Sequence, residues 1–487
     1  MDDKIPSIEP IRPTFELEVL RADQLKAIKS ATLHILEDVG VRFPSEKALA
    51  IFADHGAQVE MDRQIVRLSP NLVMQAMSHA PRSFVLAGRV EGTDLLLDGN
   101  CSYFSTEGCG VETVDFETGE QRASCKEDVA KMARVADHLS SVALYWPMVS
   151  AQDCGLTAPL HELEASYNNT VKHVQTETVM GEKLARYAVH MAEVIAGDRE
   201  RMKIRPPLST LICTISPLGQ DREGIEGAMV FAGAGVPVGF MAMPTMGSTA
   251  PVTPGGALVM GNAEVVSAMA LMQLVAPGAP VYHSLIASVM HPYTADYLVN
   301  LPEKYLCNAA AVQMAHDWGV PALAGAFGMN NPEPATWQHG RDSVYSALMC
   351  SLAGAEMASG LGLLKASTLL VPEQIIFDDE IYHTHRILAQ GIDVSAGDLA
   401  LDVIAAVGHG GHFLAEKHTR QHMRERWIPE LTNPWPSLDG EPMPDILRRA
   451  QAKLNRILAD HQPEPLDDAI RAELWAILDA AAQELGI

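Results

Sequence analysis

The chain has 487 residues, 47% of them hydrophobic, so it is long enough to bury a large core. Its 36 basic and 61 acidic residues give a net charge of −25, and such an acidic surface repels phosphate backbones and anionic lipid. We therefore expect neither nucleic-acid nor membrane-surface binding. Seven scattered cysteines without a Cys-x-x-Cys pair, and an acidic, proline-rich start, predict a cytoplasmic enzyme with reduced thiols.

The N-terminal part, residues 1–95, predicts helices and short extended segments that pack on the main body. A helix over residues 21–40 ends at Gly40, since glycine readily takes the left-handed conformation that ends many helices. A second helix begins at Ser45, a residue type that caps helix starts, and ends at Gly56.

From residue 96 to residue 430 the pattern changes to apolar runs that alternate with helical stretches. Many of these runs are followed by helices that end in glycine, before a proline that begins the next run. Continuous apolar strands separated by helices indicate a parallel sheet, and eight such units predict a closed (β/α)8 TIM barrel; an open doubly wound sheet is the alternative. The predicted strands are 101–105, 142–150, 171–177, 208–215, 236–243, 280–287, 320–327 and 356–363.

The C-terminal part, residues 431–487, begins with a proline-rich connector. Two helical stretches follow it, and the first carries apolar residues such as Leu447 and Leu454 on one face. We expect both helices to pack on the barrel or on a neighbouring subunit.

The active site of a TIM barrel lies at the carboxyl ends of its strands. There the sequence places aromatic, amide and methionine side chains, with Glu107 among few carboxylates. This set does not resemble the paired carboxylates of a glycosidase, and it suits a quaternary ammonium group, which aromatic faces bind by cation–π attraction. Motifs for a serine nucleophile elbow and for a phosphate-binding loop are absent from the sequence.

Two histidine-rich segments are candidate metal sites. His418 and His422 lie one helical turn apart, but the glutamate that follows the first histidine of a zinc-protease helix is replaced by Thr419. The segment 378–385 offers acidic residues and two further histidines. Hydrogen-bonded or solvated histidines explain both segments better, so we expect no bound metal.

Several long motifs resemble the trimethylamine methyltransferase superfamily, the corrinoid-dependent methylamine and betaine methyltransferases. They are VETVDFETGEQRASCKEDVAKMARVADHL at 111–139, the segment from MPTMGSTAPVTPGG to PGAPVYH at 243–283, SPL at 216–218, FDDEIYHTHRIL at 377–388 and GHGGHFLAEKHT at 408–419. The resemblance implies a (β/α)8 barrel with N-terminal and C-terminal helical additions, in agreement with the pattern of strands.

The chain contains only the twenty standard residues, so it is similar to the branch of this family that lacks pyrrolysine. The resemblance implies a methyltransferase that moves a methyl group from a quaternary amine, such as a glycine betaine-like zwitterion, to the cobalt(I) of a cobalamin-type corrinoid on a partner protein. A quaternary amine leaves as a neutral tertiary amine, so orientation and electrostatics are the protein's main tasks. We also expect a homo-oligomer.

Site residues follow from this resemblance as expectations. An aromatic cage with polar anchors is expected to bind the substrate, and glycine-rich or polar positions are expected to face the corrinoid. The substrate residues are Tyr103, Phe104, Trp146, Phe327, Asn330, Trp337, Gln338, Arg341 and His383, and the corrinoid residues are Ser248, Glu264, His283, Gly410, Gly411 and His412. Residues 330–343 depart from the family pattern, so the identity of the substrate is what the resemblance predicts least well.

Two alternatives stay open. One is the same fold with a different methyl donor or acceptor, such as a sulfonium compound or a folate. The other is a barrel that is not a methyltransferase, either a metal-dependent lyase that uses the histidine-rich segments or a barrel that only binds a betaine.

Overall fold

Eight parallel strands close into a barrel in the computed structural model, which describes residues 6–108, 110–115, 118–325, 333–432 and 445–486. Each barrel strand is hydrogen-bonded to its neighbours in parallel, and the last pairs with the first. The predicted (β/α)8 barrel is therefore confirmed. Seven of the eight barrel strands fall within the predicted strands, and β6 extends one residue beyond its predicted range of 101–105.

The strands are numbered in chain order. They are β1 Val41–Arg42, β2 Gln58–Glu60, β3 Ile65–Arg67, β4 Phe84–Leu86, β5 Leu95–Leu97, β6 Tyr103–Thr106, β7 Glu112–Val114, β8 Gln121–Ala123, β9 Leu144–Tyr145, β10 His173–Thr176, β11 Leu208–Cys213, β12 Val238–Ala242, β13 Thr245–Met246, β14 Val281–Leu285, β15 Ser288–Met290, β16 Tyr297–Leu298, β17 Ala322–Gly325, β18 Met357–Leu361, β19 Leu363–Leu364 and β20 Leu369–Leu370. The barrel order is β6, β9, β10, β11, β12, β14, β17 and β18.

The α-helices are numbered in the same way. They are α1 Ala22–His34, α2 Glu46–Asp54, α3 Pro70–Met77, α4 Lys126–His138, α5 Ala158–Asn169, α6 Gly181–Ala196, α7 Arg199–Ile204, α8 Arg222–Ala234, α9 Pro254–Val275, α10 Pro302–Trp318, α11 Trp337–Leu352, α12 Gln374–Ala389, α13 Ala396–Leu399, α14 Leu401–Val407, α15 Lys417–His422, α16 Ile446–Asp460 and α17 Asp468–Leu485. A π-helical turn, Ile35–Val39, extends α1, and 3₁₀ turns cover Gln152–Thr157 and Met423–Glu425.

A hairpin from the N-terminal part closes the amino-terminal end of the barrel. Strands β4 and β5 pair antiparallel, and Leu86, Leu95 and Leu97 belong to the same buried apolar cluster as Tyr103 and Leu211. Tyr103 begins β6 at the amino end of the barrel, so the hairpin covers that end, and the same cluster continues through the interior to Trp146 and Met241. The hairpin leaves only the carboxyl end open to a ligand.

The remaining N-terminal and C-terminal elements pack on the ring of barrel helices. Helices α1, α2 and α3 contact α9, and the small sheet of β1, β3 and β2 lies beside them. Helix α16 packs on α4 and α12, and α17 packs on α5 and α6. The boundaries predicted at residues 95 and 430 stay predictions, since the structure shows packing rather than independent units.

Helix α9 is a core helix of this barrel. In the described part of the chain it is the one helix that is long and apolar enough to cross a membrane, with a mean hydropathy of 1.5 over a window that is 83% buried. It packs against β12, β14, α1 and α8, so neighbouring elements of the fold already cover its apolar surface.

Extra strands lie in the loops at the carboxyl end. Strands β13, β15 and β16 form one small sheet, and β7, β8, β19 and β20 form another. The second sheet joins the loop after β6 to the loop after β18 through the parallel pair of β7 and β20. These sheets fix the loops that surround the open end of the barrel.

Inside the barrel, Gly239 on β12 packs against the ring of Tyr282 on β14. A Cβ atom at position 239 would come within 2.0 Å of that ring. The ring has little freedom to move, because its hydroxyl lies 2.9 Å from both Gln175 Oε1 and Thr210 O. The size of the residue at position 239 is therefore limited by packing.

We predict that Gly239→Ala lowers the free energy of unfolding by about 1–3 kcal/mol through overpacking. The matched control is Gly233→Ala on the exposed side of α8, where a Cβ atom would meet nothing within 4 Å. That change should raise stability by up to about 1 kcal/mol. Chemical denaturation of both variants measures the difference, and equal effects would contradict this packing.

Candidate functional site

A cavity of about 210 Å³ lies at the carboxyl ends of the barrel strands. Pockets for drug-sized ligands span about 300–1,000 Å³, so this one suits a smaller molecule. It brings together two carboxylates, one ammonium group, two aromatic rings and two thioethers. These groups belong to Glu107, Glu177, Lys304, Trp146, Tyr297, Met241 and Met243.

Glu107 and Trp146 are placed by hydrogen bonds at the ends of the first two barrel strands. Glu107 follows β6, and its backbone N–H donates to Leu361 O at 3.1 Å. The Thr106 hydroxyl accepts from Trp146 N at 2.8 Å and donates to Trp146 O at 2.6 Å. A Cβ atom at Gly108 would come within 2.0 Å of the Trp146 indole, so glycine there leaves room for the ring.

Glu177 follows the third barrel strand, β10, and faces the end of the fourth. The Cys213 thiol donates to Glu177 Oε1 at 3.1 Å. Burial, and then the negative charge of Glu177, raise the pKa of Cys213 well above its usual range. Cys213 therefore stays protonated and acts as a hydrogen-bond donor to the carboxylate.

Glu107 is difficult to ionise in this cavity. Burial, and then the nearby charge of Glu177, raise its pKa to about 7, while Lys304 and a hydrogen bond from Ser367 act in the opposite direction. Lys304 on α10 is 2% exposed, and burial lowers its pKa although Glu107 partly offsets this. The cavity thus holds two acidic groups, and the positive charge of Lys304 compensates their negative charge only in part.

The loop after β19 brings Ser367 to this cavity through an unusual backbone. Lys365, Ala366 and Ser367 have φ values of 53°, 51° and 66°, and consecutive non-glycine residues rarely adopt this left-handed region. Such strain persists only where the surroundings fix it, and it is concentrated at functional sites. Ala366, Ser367 and Thr368 form one wall of the cavity.

Trp146 is the member of the expected substrate cage that lines this cavity. Tyr103 also points into the barrel, but it lies at the amino end against the closing hairpin. Phe104 points outward, and its ring centre lies 5.0 Å from that of Tyr382 on α12. The positions of Tyr103 and Phe104 therefore correct the expectation that both line the substrate pocket. Phe327 and Asn330 lie outside the described residues.

The four expected substrate residues on α11 and α12 lie on the outer helices. Trp337 is 85% exposed, Gln338 is its partly buried neighbour, and Arg341 pairs with Asp342 at 3.1 Å. His383 lies 3.3 Å from Asp379 on the same helix. Trp337 and Gln338 begin α11, Arg341 lies one turn further along it, and His383 lies in the second half of α12. None of the four lines the cavity at the barrel mouth, and their role in substrate binding stays a prediction.

The residues expected to face a corrinoid are also dispersed. Glu264 is buried, and it accepts hydrogen bonds from Thr214, Ser216 and Leu218 N in the loop after β11. His283 is buried with Nε2 3.0 Å from Asn262 Oδ1, and burial lowers its pKa to about 3. Both side chains are held by the fold, which corrects their expected role in cofactor contact.

Ser248 is exposed in the loop after β13, at the mouth of the barrel. Gly410, Gly411 and His412 are exposed in the segment that follows α14. That segment leaves α12 beside Thr14, whose N–H donates to Ala389 O at the amino end of the barrel. The segment therefore starts at the end of the barrel opposite to the mouth, and the expected role of its glycines stays a prediction.

Sequence reasoning passed over Glu177, Lys304 and Tyr297. Glu177 has a usable signal in the sequence, since it is the last residue of the predicted strand 171–177. Lys304 lies in the helix after the sixth strand, where one lysine among apolar residues looks like a surface position. Tyr297 belongs to an extra strand that the barrel pattern does not predict.

In the described ranges, no three histidine, cysteine, aspartate or glutamate side chains come together in a way that suits a metal ion. The rings of His418 and His422 lie 4.2 Å apart as the spacing predicted. His422 Nδ1 is 3.0 Å from Glu425.

The fold and the cavity together define a TIM-barrel enzyme with a small acidic and aromatic site at its open end. Residues 2–486 match the family model described as trimethylamine methyltransferase (MTTB). The chain belongs to this methyltransferase family.

Curated relatives cover nearly the whole chain. The trimethylamine methyltransferase MttB of Desulfitobacterium hafniense (strain DSM 10664 / DCB-2) is 31% identical over 97% of this chain and 96% of its own length. A glycine betaine methyltransferase of Desulfitobacterium hafniense (strain Y51) is 29% identical over 96% and 98%. Among solved structures, the monomethylamine methyltransferase MtmB of Methanosarcina barkeri is 9% identical with a TM-score of 0.46, covering 95% of this chain and 92% of its own.

We predict that Glu107→Gln stabilises the protein at pH 8 but hardly at pH 5. The folded-state pKa of about 7 lies above the ordinary value of 4.5. Stability is therefore lost as the pH rises from about 4.5 to 7, where the carboxyl ionises in the unfolded state but not in the folded state, and the loss reaches about 3 kcal/mol. At pH 5 the wild-type carboxyl is already protonated and resembles glutamine. Chemical denaturation at both pH values tests this, and an equal effect at pH 5 and pH 8 would show that Glu107 has an ordinary pKa.

Proposed function

We propose that this protein transfers a methyl group from a small quaternary ammonium compound to a corrinoid carried by a partner protein. The observation that carries this proposal is the acidic and aromatic cavity at the barrel mouth. Membership of the methyltransferase family and the printed names of the relatives support the reaction class, and the cavity supports the charge and size of the donor.

A quaternary nitrogen carries a positive charge and has no N–H to donate. Its binding site therefore needs negative charge and polarisable surface rather than hydrogen-bond acceptors. Glu177 and ionised Glu107 supply the charge. Trp146, Tyr297 and the thioether of Met241 supply aromatic and sulfur surface around it and keep water away.

Lys304 extends the proposal to donors that also carry a carboxylate. It is buried, and it lines the same cavity as the two glutamates. A zwitterion with its ammonium near Glu107 and Glu177 could place its carboxylate near Lys304. Two opposite anchors would fix the direction of the donor, and orientation is a large part of what an enzyme contributes to a displacement reaction.

The acceptor is expected to stay outside the cavity, which at about 210 Å³ is too small for a corrin macrocycle. The loops after β9, β11, β12 and β14 lie at the mouth, and exposed apolar side chains on them suit a protein partner. Examples are Leu156, Ile215, Val252 and Tyr293. The reduced corrinoid would supply the cobalt nucleophile that receives the methyl carbon.

The leaving group needs no proton from the chain. The carbon–nitrogen electron pair stays on nitrogen, so a quaternary ammonium leaves as a neutral tertiary amine. The positive charge on nitrogen declines toward the transition state, and the carboxylates stabilise the bound donor more than the transition state. The two carboxylates are therefore expected to act mainly on KM, while orientation of the donor by Lys304 and by the apolar wall of the cavity acts on kcat.

A sulfonium donor is a second candidate, because the same cavity charge suits any small onium cation. A panel of donors separates the two. Protein is incubated with cob(I)alamin and tetramethylammonium, glycine betaine, a dimethylsulfonium zwitterion or trimethylamine, and methylcob(III)alamin is followed by absorbance. We expect turnover with a quaternary ammonium zwitterion, and absence of turnover with every ammonium donor would overturn the proposal.

The variant Lys304→Met tests the role of Lys304 in the same assay. We expect kcat/KM for a zwitterion to fall by about tenfold or more relative to tetramethylammonium, because only the zwitterion has a carboxylate that Lys304 can bind. The control is Lys365→Met, which removes an exposed lysine paired with Glu112 at 3.1 Å. An unchanged preference between the two donors would remove Lys304 from substrate binding.

We also predict that kcat/KM for a quaternary donor falls as the pH drops below about 7. The donor has no titrating proton, so the fall reports protonation of Glu107 in the free enzyme. Glu107→Gln should flatten this profile and raise KM at pH 8 about tenfold, with a smaller effect on kcat. Glu112→Gln is the matched control with an exposed carboxylate, and a profile that survives in Glu107→Gln would assign the titration to another group.

A further inference from the structure

Residues 391–426 form an exposed segment, called the arm here, which contains α13, α14 and α15. The structure describes every residue from 391 to 430 and buries none of them. Ordinary surface loops of a barrel are anchored by some buried side chain. So long an uncovered stretch indicates that the arm packs against something other than its own barrel.

The composition of the arm supports this reading. Eight large apolar side chains on it are exposed, six of them by more than half, among them Ile392 at 90%, Leu414 at 79% and Leu401 at 67%. Side-chain hydrogen bonds from described residues of the arm go to other residues of the arm, for example from Ser395 to Asp398 and between His422 and Glu425. Exposed apolar surface of this extent is typical of a protein–protein contact.

The described residues of the same chain leave an apolar groove on the outer surface. This α11–α12 groove has a volume of about 570 Å³. Val344 and Tyr345 of α11 form one side, and Phe377 and Ile381 of α12 form the other. Trp337 stands at the edge of the groove and is itself mostly exposed.

Charge also distinguishes one part of the arm from the rest of the chain. Its second half, residues 408–426, has four basic residues against two acidic ones, with four histidines in addition. The whole chain carries a net charge of −25. Two such acidic molecules repel each other, and a basic segment that reaches across would offset part of this repulsion.

We propose that the arm docks on a second copy of this chain, with its apolar residues in the α11–α12 groove and its basic half against the acidic surface. Both complementary surfaces, the arm and the groove, belong to one chain. Two copies can therefore exchange arms about a two-fold axis, and every arm and every groove is then occupied.

The arm is less suited to the corrinoid protein as its partner. It leaves the barrel at Ala389, beside Thr14 and near the amino end of the strands. Under the proposed function the corrinoid protein must reach the opposite end, where the cavity opens. The preference for a second copy over the corrinoid protein rests on the proposed function, whereas the apolar and charge complementarity between arm and groove does not.

Sedimentation velocity of the full chain, without a corrinoid protein, tests this proposal. We expect wild-type protein to form a dimer or a multiple of dimers at micromolar concentration. Leu401→Asp with Ile404→Asp on the arm, and Tyr345→Asp on the groove, should each weaken association at least about 100-fold. All three side chains are more than half exposed, so the variants should fold as the wild type does.

The matched control is Ile204→Asp, which places the same charge on a 75% exposed apolar residue of α7 and should leave association unchanged. Trypsin provides a second measurement, because the arm contains Lys417, Arg420, Arg424 and Arg426. Cleavage there should be slow in associated wild-type protein and fast in the arm variant.

Three results would overturn the proposal. The first is a wild-type protein that is monomeric at all concentrations and whose arm is cleaved by trypsin. This includes the case in which the arm is protected only after corrinoid protein is added. The second is association that survives both the arm and the groove variants. The third is a trypsin-resistant arm in monomeric protein, which would place the arm on its own barrel. None of these readings requires methyl transfer, so they are independent of the proposed activity.

Discussion

The functional site depends on holding two carboxylates close together at the end of a closed barrel. Closure of eight strands brings the residues after β6 and β10 to one opening, and there Glu107 and Glu177 face each other with Lys304 nearby. Burial and like charge raise the pKa of Glu107 to about 7. A cation that enters the cavity relieves this repulsion, so the site is arranged in advance for positive charge.

Neighbouring contacts keep this arrangement in place. Thr106 fixes the backbone of Trp146 on both sides, and Cys213 donates to Glu177. The left-handed turn at residues 365–367 adds Ser367 to the wall. The closing hairpin at the amino end makes the barrel a blind pocket. Each contact comes from a different strand or loop, which explains why the site needs the whole barrel rather than one motif.

The barrel itself could be predicted, because continuous apolar strands between helices have few other solutions. The site was predictable only in part. The sequence places Trp146 and Glu107 at strand ends, but it does not show the direction of Phe104, since β6 is buried on both faces. Trp337 and Arg341 looked like pocket residues from composition alone. Lys304 was hidden because its neighbours fit a core helix, and only the packed structure shows which face of that helix meets the cavity.

Proton release on binding tests the central claim most directly. A quaternary ammonium compound cannot exchange a proton, so any proton released when it binds must come from the protein. Titration calorimetry at pH 7 in two buffers of different ionisation enthalpy should show release of up to about half a proton, as the bound cation lowers the pKa of Glu107. Glu107→Gln should bind more weakly and release none. Binding without proton release in the wild type would contradict an acidic cavity that is preorganised for a cation.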